Sequence, residues 1–186
     1  MSSCVTICPI GSVDEGILEH IAECISIRCG LNWRISMRME NPRYAYNDTR
    51  CQYNSKLILK HLLQQCPFDT LRLIGITPVD LYVPILKFVF GLAQIEGKCS
   101  IISLYRLCPQ FYDQPSNPDL LLARVEKTVL HELGHTFGMT HCRDRRCVMY
   151  SSVRIEDTDL KQADFCPTCF ELFQWYLKKS LQQSSY

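Results

Sequence analysis

The chain has 186 residues, enough for one domain that buries most of its apolar surface. Its formal net charge of +1 gives no acidic or basic field that would favour nucleic acid or a membrane surface. No apolar run approaches the roughly twenty residues that span a bilayer, and the start Met1-Ser2-Ser3 lacks the features of a signal peptide, so we expect a cytoplasmic monomer.

The first half of the chain alternates predicted strands and helices. Strands are predicted over residues 5–10, 32–39 and 71–77, and helices over 14–29 and 54–65. Both helices carry apolar side chains at helical spacing, and they end at a glycine or before a proline. The second strand alternates polar and apolar side chains, as a half-buried strand does. The third is apolar throughout, which predicts burial on both faces.

The region before the last third of the chain is less regular. Residues 78–90 contain Pro84 and are predicted as a loop, and residues 98–107 are predicted as a strand. A helix is then predicted over residues 119–137, with Asp119 as its N-cap after a proline. A final amphipathic helix is predicted over residues 170–181.

Residues 131–141, H-E-L-G-H-T-F-G-M-T-H, have the spacing of a hydrolytic zinc site. His131 and His135 are four residues apart, so a helix places both rings on one face where they can share a metal. Gly138 can adopt the left-handed conformation that ends a helix, which lets His141 return as a third ligand. Glu132 can reach a water on that metal. Three protein nitrogens leave one position open, as in a catalytic zinc site.

Four cysteines follow in two close pairs, which is the pattern of a closed structural zinc site. The ligands are predicted to be Cys142, Cys147, Cys166 and Cys169. The competing interpretation is a redox C-x-x-C, which usually precedes a helix in a thioredoxin-like unit. Because His141 and Cys142 are adjacent, ordering the four-cysteine site would also position the third histidine. The other eight cysteines are predicted to be buried as small hydrophobic side chains, with disulfides left open.

The composite motif H-E-x-x-H-x-x-G-x-x-H-C-x4-C-x-M, followed by C-x-x-C, closely resembles the archaemetzincin family of metzincin-clan zinc peptidases. Sixteen residues separate Met149 from Cys166, one fewer than is typical of that family. This difference changes the length of a loop and leaves every ligand in place.

The resemblance implies a compact α/β (α+β) domain spanning residues 1–186, with a mixed twisted sheet of four or five strands. Residues 1–137 would form an N-terminal subdomain with the active-site helix, and residues 138–186 a small zinc-bound C-terminal subdomain. Two Zn²⁺ ions per chain are implied, one catalytic and one structural. The resemblance also implies Glu132 as general base and Met149 as the floor of the site.

By the same analogy, backbone groups of residues 100–106 would bind an extended peptide substrate, although an ordinary edge strand fits this segment equally well. Tyr150 is a candidate second donor to the oxyanion, and packing in the core is its alternative role. Arg124 and Thr128 share the face of His131, and Arg124 is expected to be solvated or salt-bridged rather than a substrate ligand.

The function that these observations favour is zinc-dependent hydrolysis of peptide bonds in a peptide or protein substrate. The alternative is a zinc-stabilised peptide-binding module with latent or very weak activity. Retention of Glu132 and of an open coordination position argues against this alternative, since binding alone requires neither. No residue in the sequence identifies a side-chain pocket or separates an endopeptidase from an aminopeptidase.

Overall fold

Thirteen helices and strands make up the fold in the computed structural model, which describes residues 4–183. The strands are β1 Cys4–Pro9, β2 Trp33–Ile35, β3 Tyr46–Asn47, β4 Gln52–Asn54, β5 Thr70–Thr77, β6 Leu81–Tyr82, β7 Gly91–Ala93 and β8 Cys99–Ser103. The helices are α1 Glu15–Cys29, α2 Ser55–Gln64, α3 Pro118–Thr136, α4 Ile155–Leu160 and α5 Pro167–Gln183. None of the helices within residues 4–183 is long and apolar enough to cross a membrane.

The main sheet has five strands in the order β2-β1-β5-β8-β7. The first four are parallel, and β7 pairs antiparallel with β8 at the edge. Every residue of β5 is buried, as the unbroken apolar run predicts for a central strand. A second, three-stranded sheet in the order β3-β4-β6 lies beside it. The mixed α/β sheet expected from the sequence is therefore confirmed, with a small second sheet that was not predicted.

The helices cover both faces of the main sheet. On one face, α1 and α3 form a core with the C-terminal segment, in which Val129, Met149 and Phe173 are fully buried. On the other face, α2 packs Ile58 and Leu62 against the sheet. This arrangement places α3 under β7 and β8, so the histidines of α3 lie below one edge of the sheet.

Several predicted boundaries are wrong for identifiable reasons. Of the strand expected over 32–39, only β2 forms. Met37, which follows β2, is 90% exposed, so the apolar side chains of this alternating segment do not all face a core. The N-cap of α3 is Asn117 rather than Asp119: its side chain accepts the Leu120 N–H at 3.0 Å, and Pro118 occupies the first helical position. The final helix begins three residues earlier than predicted, at Pro167.

Candidate metal centres and catalytic cleft

Three imidazoles meet at the C-terminal end of α3. His131 and His135 lie one turn apart on the helix, and the chain then reverses at Gly138, whose φ is +106°. A Cβ at Gly138 would also lie 3.1 Å from the Tyr176 ring, so glycine suits both the conformation and the space. The reversal brings the His141 ring to within 5.2 Å of His131 and 4.9 Å of His135, measured between centroids.

Hydrogen bonds fix which nitrogen of two rings faces the shared space. His131 Nδ1 lies 2.9 Å from the Val148 carbonyl oxygen, and His135 Nδ1 lies 2.7 Å from that of Met139. A carbonyl oxygen only accepts, so both Nδ1 atoms carry the hydrogen and both Nε2 atoms present bare lone pairs. These two Nε2 atoms are 3.1 Å apart. Two facing lone pairs at this distance repel each other unless a cation lies between them.

The distances suit zinc. Tetrahedral ligands with Zn–N bonds of about 2.0–2.1 Å lie roughly 3.3 Å from one another, close to the observed separation. Burial lowers the pKa of all three imidazoles below the ordinary histidine range, so they are neutral at pH 7 and able to act as ligands. The three histidines could therefore hold a zinc ion with a fourth position facing the cleft.

Met149 packs directly beneath the zinc-facing turn of α3. It is fully buried, and its Sδ would lie only 2.6 Å from a Cβ added at Gly134. Gly134 lies between the two helical histidines, so the missing side chain lets the methionine approach the helix backbone under the imidazoles. Met149 therefore lies against the turn of α3 that carries the two helical histidines.

Glu132 is enclosed beside the first histidine. Its side chain is buried, and burial raises the pKa of its carboxyl to about 8, with Lys161 acting in the opposite direction. A Cβ at Gly91 would come within 2.7 Å of Glu132 Cγ. Glycine at this position of β7 therefore allows the edge strand to lie against the carboxylate.

The four cysteines predicted as a structural zinc site also meet. Their Sγ atoms all lie within 4.8 Å of one another, and Cys142 Sγ is 3.8 Å from Cys166 Sγ. Four ligands with Zn–S bonds of about 2.3 Å would lie roughly 3.8 Å apart in a tetrahedron. Backbone N–H groups of Asp144 and Cys166 donate to the sulfurs of Cys142 and Cys147. Burial raises the pKa of the Cys147 thiol, so a cation is needed to replace its proton.

A cleft of about 720 Å³ opens above the histidines. Its floor is α3, with Thr128, His131, Glu132 and His135. One wall is the chain from Val83 to Ile95, and the other is formed by Ser151–Val153, Thr158 and Lys161. The wall around β7 is apolar and carries exposed side chains, of which Ile85 is 90% and Ile95 is 65% exposed.

The edge strand that borders this cleft is β7. Phe90 accepts a hydrogen bond from Ser103, and Gln94 donates one to Cys99, so even-numbered residues face β8. By the alternation of antiparallel pairs, the backbone N–H and C=O groups of Gly91 and Ala93 face away from β8. The prediction that residues 100–106 form the substrate-facing edge is wrong, because β8 is paired on both sides.

Other candidate residues are not all in the cleft. Arg124 is 2% exposed and forms a bidentate ion pair with Asp159, as expected of a salt-bridged residue. Tyr150 does not line the cleft, and its carbonyl accepts a hydrogen bond from Lys161 at 3.2 Å. Lys161 was not predicted as a site residue; it is 3% exposed, and burial lowers its pKa to about 8. It belongs to no spaced motif, so only the fold could identify it.

Comparison with known proteins identifies the family. The family model described as peptidase family M54 matches residues 16–175. The chain belongs to peptidase family M54. It is 41% identical over 170 residues to the archaemetzincin of Methanocaldococcus jannaschii, covering 91% of this chain and 92% of that protein.

Solved structures agree with the sequence comparison. The archaemetzincin of Methanopyrus kandleri superposes with a TM-score of 0.82 at 35% identity, covering 94% of this chain and 96% of that one. A zinc-dependent peptidase from Methanocorpusculum labreanum gives 0.81 at 27% identity, covering 91% and 99%. The resemblance to archaemetzincins is therefore confirmed, and the M54 chain is a zinc metallopeptidase.

Proposed function

We propose that this M54 peptidase cuts peptide bonds at a zinc ion held by His131, His135 and His141, with Glu132 as general base. The observation that carries the proposal is the pair of bare Nε2 atoms 3.1 Å apart, next to a buried carboxylate and open to a cleft. Zinc, when bound, lowers the pKa of a water and polarises the scissile carbonyl.

Glu132 has two proton transfers to perform in this mechanism. It takes the proton of the attacking water and then passes it to the leaving amine. Burial raises the pKa of this carboxyl and so favours the protonated form that serves the second transfer, whereas a bound cation would favour the carboxylate that serves the first. Gly91 helps to keep bulk water from the carboxylate by lying against it.

We propose a second, structural zinc on Cys142, Cys147, Cys166 and Cys169, giving two Zn²⁺ ions per chain. Four sulfurs leave no open position for a substrate. The near-tetrahedral spacing and the N–H groups directed at the sulfurs support this assignment. The shared peptide between His141 and Cys142 would then fix the third catalytic ligand.

The edge of β7 is proposed to bind an extended segment of the substrate. The outward N–H and C=O groups of Gly91 and Ala93 can form a backbone ladder with a peptide, which is the β-augmentation mode. This position lies directly over Glu132 and beside the apolar wall. Peptides with bulky apolar side chains near the cut bond are therefore expected to be favoured.

We propose that residues 1–186 act as a single catalytic domain, with 138–186 as its zinc-bound subdomain, and that the protein is a cytoplasmic monomer. One continuous core, which includes Val129 before this boundary and Phe173 after it, supports the single domain. Thiolate ligands persist in a reducing compartment, which supports the cytoplasmic location.

The test is digestion of a diverse peptide library by the zinc-loaded protein, with products identified by mass spectrometry. The Glu132→Ala variant should keep its zinc and lose hydrolysis. Glu126→Ala, a change on the same helix at a residue that pairs with Arg28, serves as the matched control and should remain active. Turnover retained by Glu132→Ala would defeat the mechanism, and peptide binding without cleavage by the unmodified protein would favour the binding module. Metal analysis should find two zinc ions per chain.

A further inference from the structure

Lys161 is the only lysine within residues 4–183 that is buried, at 3% exposure. It follows α4 directly, and its side chain enters the wall of the catalytic cleft opposite β7. Within the described residues, no carboxylate lies within ion-pair distance of its amine, whereas Lys179 pairs with Glu96. Enclosing an amine with no carboxylate in direct contact is unfavourable, which marks Lys161 as a candidate functional residue.

Among residues 4–183, one hydrogen bond holds the amine in place. Its Nζ donates to the carbonyl oxygen of Tyr150 at 3.2 Å, just after the methionine that underlies the imidazoles. A lysine amine in its ordinary charged form has three N–H donors, so this bond leaves donors that are not used. The segment that supports the histidines therefore also fixes the position of Lys161.

The surroundings of the amine indicate that a ligand belongs there. His131, Glu132 and His141 line the same cleft. Lys161 lies near enough to lower the pKa of each of these three groups, so its amine is close to the candidate metal site. The hydroxyl of Ser152 is buried in the same wall and has no hydrogen-bond partner within the described residues. Lys161 and Ser152 thus belong to the same wall of the cleft, beside the candidate metal site.

We propose that Lys161 is a further catalytic residue, whose amine donates a hydrogen bond to the carbonyl oxygen of the peptide bond that is cut. The proton stays on Nζ throughout, while the carbonyl oxygen gains negative charge as water adds to its carbon. The hydrogen bond strengthens as that charge grows, so it stabilises the transition state more than the bound substrate. This inference rests on the proposed role of Glu132 and assigns to Lys161 the donor function considered for Tyr150.

A purely structural role for Lys161 would give a different result when the residue is replaced. If its only task were to hold the Tyr150 carbonyl, replacement would lower stability and zinc content without selective loss of transition-state binding. The matched control is Lys127, whose amine also donates to a backbone carbonyl, that of Asp159 at 3.1 Å, but lies outside the cleft. Lys127→Met therefore reports the cost of losing one such bond.

The experiment compares Lys161→Met, Lys161→Arg and Lys127→Met as zinc-loaded full-length proteins. The first readout is kcat and KM for a peptide that the unmodified protein cleaves. The second is the Kd of a phosphinic dipeptide with leucine-like side chains, whose anionic oxygens mimic the tetrahedral transition state. Zinc per chain and the unfolding midpoint are measured for each protein.

We expect Lys161→Met to lose about 10²- to 10³-fold in kcat with little change in KM, as when an oxyanion donor is removed. Its affinity for the phosphinic peptide should fall at least about tenfold at unchanged zinc content. Lys161→Arg, which keeps donors, should recover part of both, and Lys127→Met should change neither.

Equal phosphinic-peptide affinity in Lys161→Met and the unmodified protein would overturn the proposal, as would a kcat within threefold. If Lys161→Met does not fold, Lys161→Arg provides the test instead. A folded Lys161→Arg protein that has lost both its activity and its affinity for the phosphinic peptide completely would contradict the proposal that residue 161 donates a hydrogen bond. If the proposed function itself were wrong, the Glu132→Ala variant would still hydrolyse peptides, a result that does not depend on Lys161.

Discussion

Replacing Gly134 with alanine tests the contact on which the floor of the catalytic site depends. Gly134 lies on α3 between the two helical histidines, and an added Cβ would be 2.6 Å from Met149 Sδ and 3.2 Å from its Cε. The Sδ distance is roughly 0.8 Å short of ordinary van der Waals contact. Met149 is fully buried, so its thioether can relieve this contact only by rearranging within the core.

Two effects of opposite sign decide the outcome. Alanine is favoured over glycine in a helix interior by about 1 kcal/mol. Overpacking a closed core costs about 1–3 kcal/mol, and here the contact is with a side chain held on all sides. We expect Gly134→Ala to lower the free energy of unfolding by about 1 kcal/mol. It should also weaken zinc binding at the histidines, because His131 is hydrogen-bonded to the carbonyl of Val148, the residue just before Met149.

The assay is denaturant unfolding together with zinc content per chain. Gly16→Ala is the control: Gly16 lies in α1, and its added Cβ would meet only the Asp14 carboxylate tip at 3.1 Å. The control should be neutral or stabilising. In the double variant Gly134→Ala/Met149→Ala, the clash is removed, so the cost of the first change should vanish and helix propensity should dominate. A Gly134→Ala protein as stable as the unmodified one, with full zinc, would refute this reasoning.

Three further outcomes are expected. The hydrogen bond from the Cys99 thiol lowers the pKa of Cys66 to about 7, so alkylation of Cys66 followed by mass spectrometry should rise with pH through about 7, and Cys99→Ala should move that midpoint upward. Cys166→Ser should lower the zinc content of both the cysteine site and the histidine site in a metal analysis. Full zinc at the histidine site would show that the two sites bind metal independently. Arg124→Met should cost about 1–3 kcal/mol in denaturant unfolding, because the Leu107 carbonyl loses its buried donor and Asp159, which is 36% exposed, loses its partner. Arg28→Met at an exposed ion pair should cost at most about 1 kcal/mol.

The grouping of the candidate ligands was predictable because their geometry is local. His131 and His135 share a helix face by periodicity alone, and Gly138 marks the reversal that delivers His141. The cysteines form close pairs whose spacing limits how they can meet. These inferences need no knowledge of the sheet, so the sequence is sufficient for them.

The substrate-facing edge was not predictable in the same way. Strand β7 has three residues, one of them Gly91, and its pattern carries neither length nor alternation. Its position depends on a pairing with β8, which a single sequence does not reveal. Lys161 is a similar case, because its burial follows from the packing of α4 on α3 rather than from any neighbour in the chain.

The two candidate metal sites and Lys161 are linked through three consecutive backbone carbonyls. Val148 accepts a hydrogen bond from His131 Nδ1, Met149 from the backbone N–H of Cys142, and Tyr150 from Lys161 Nζ. A shift of this short segment would therefore turn the imidazole, displace a sulfur ligand and move the amine together. Because Met149 is buried against Gly134 of α3, such a shift would also disturb the helix that carries His131 and His135. The packing of this one segment therefore ties the candidate ligands and the proposed donor to each other.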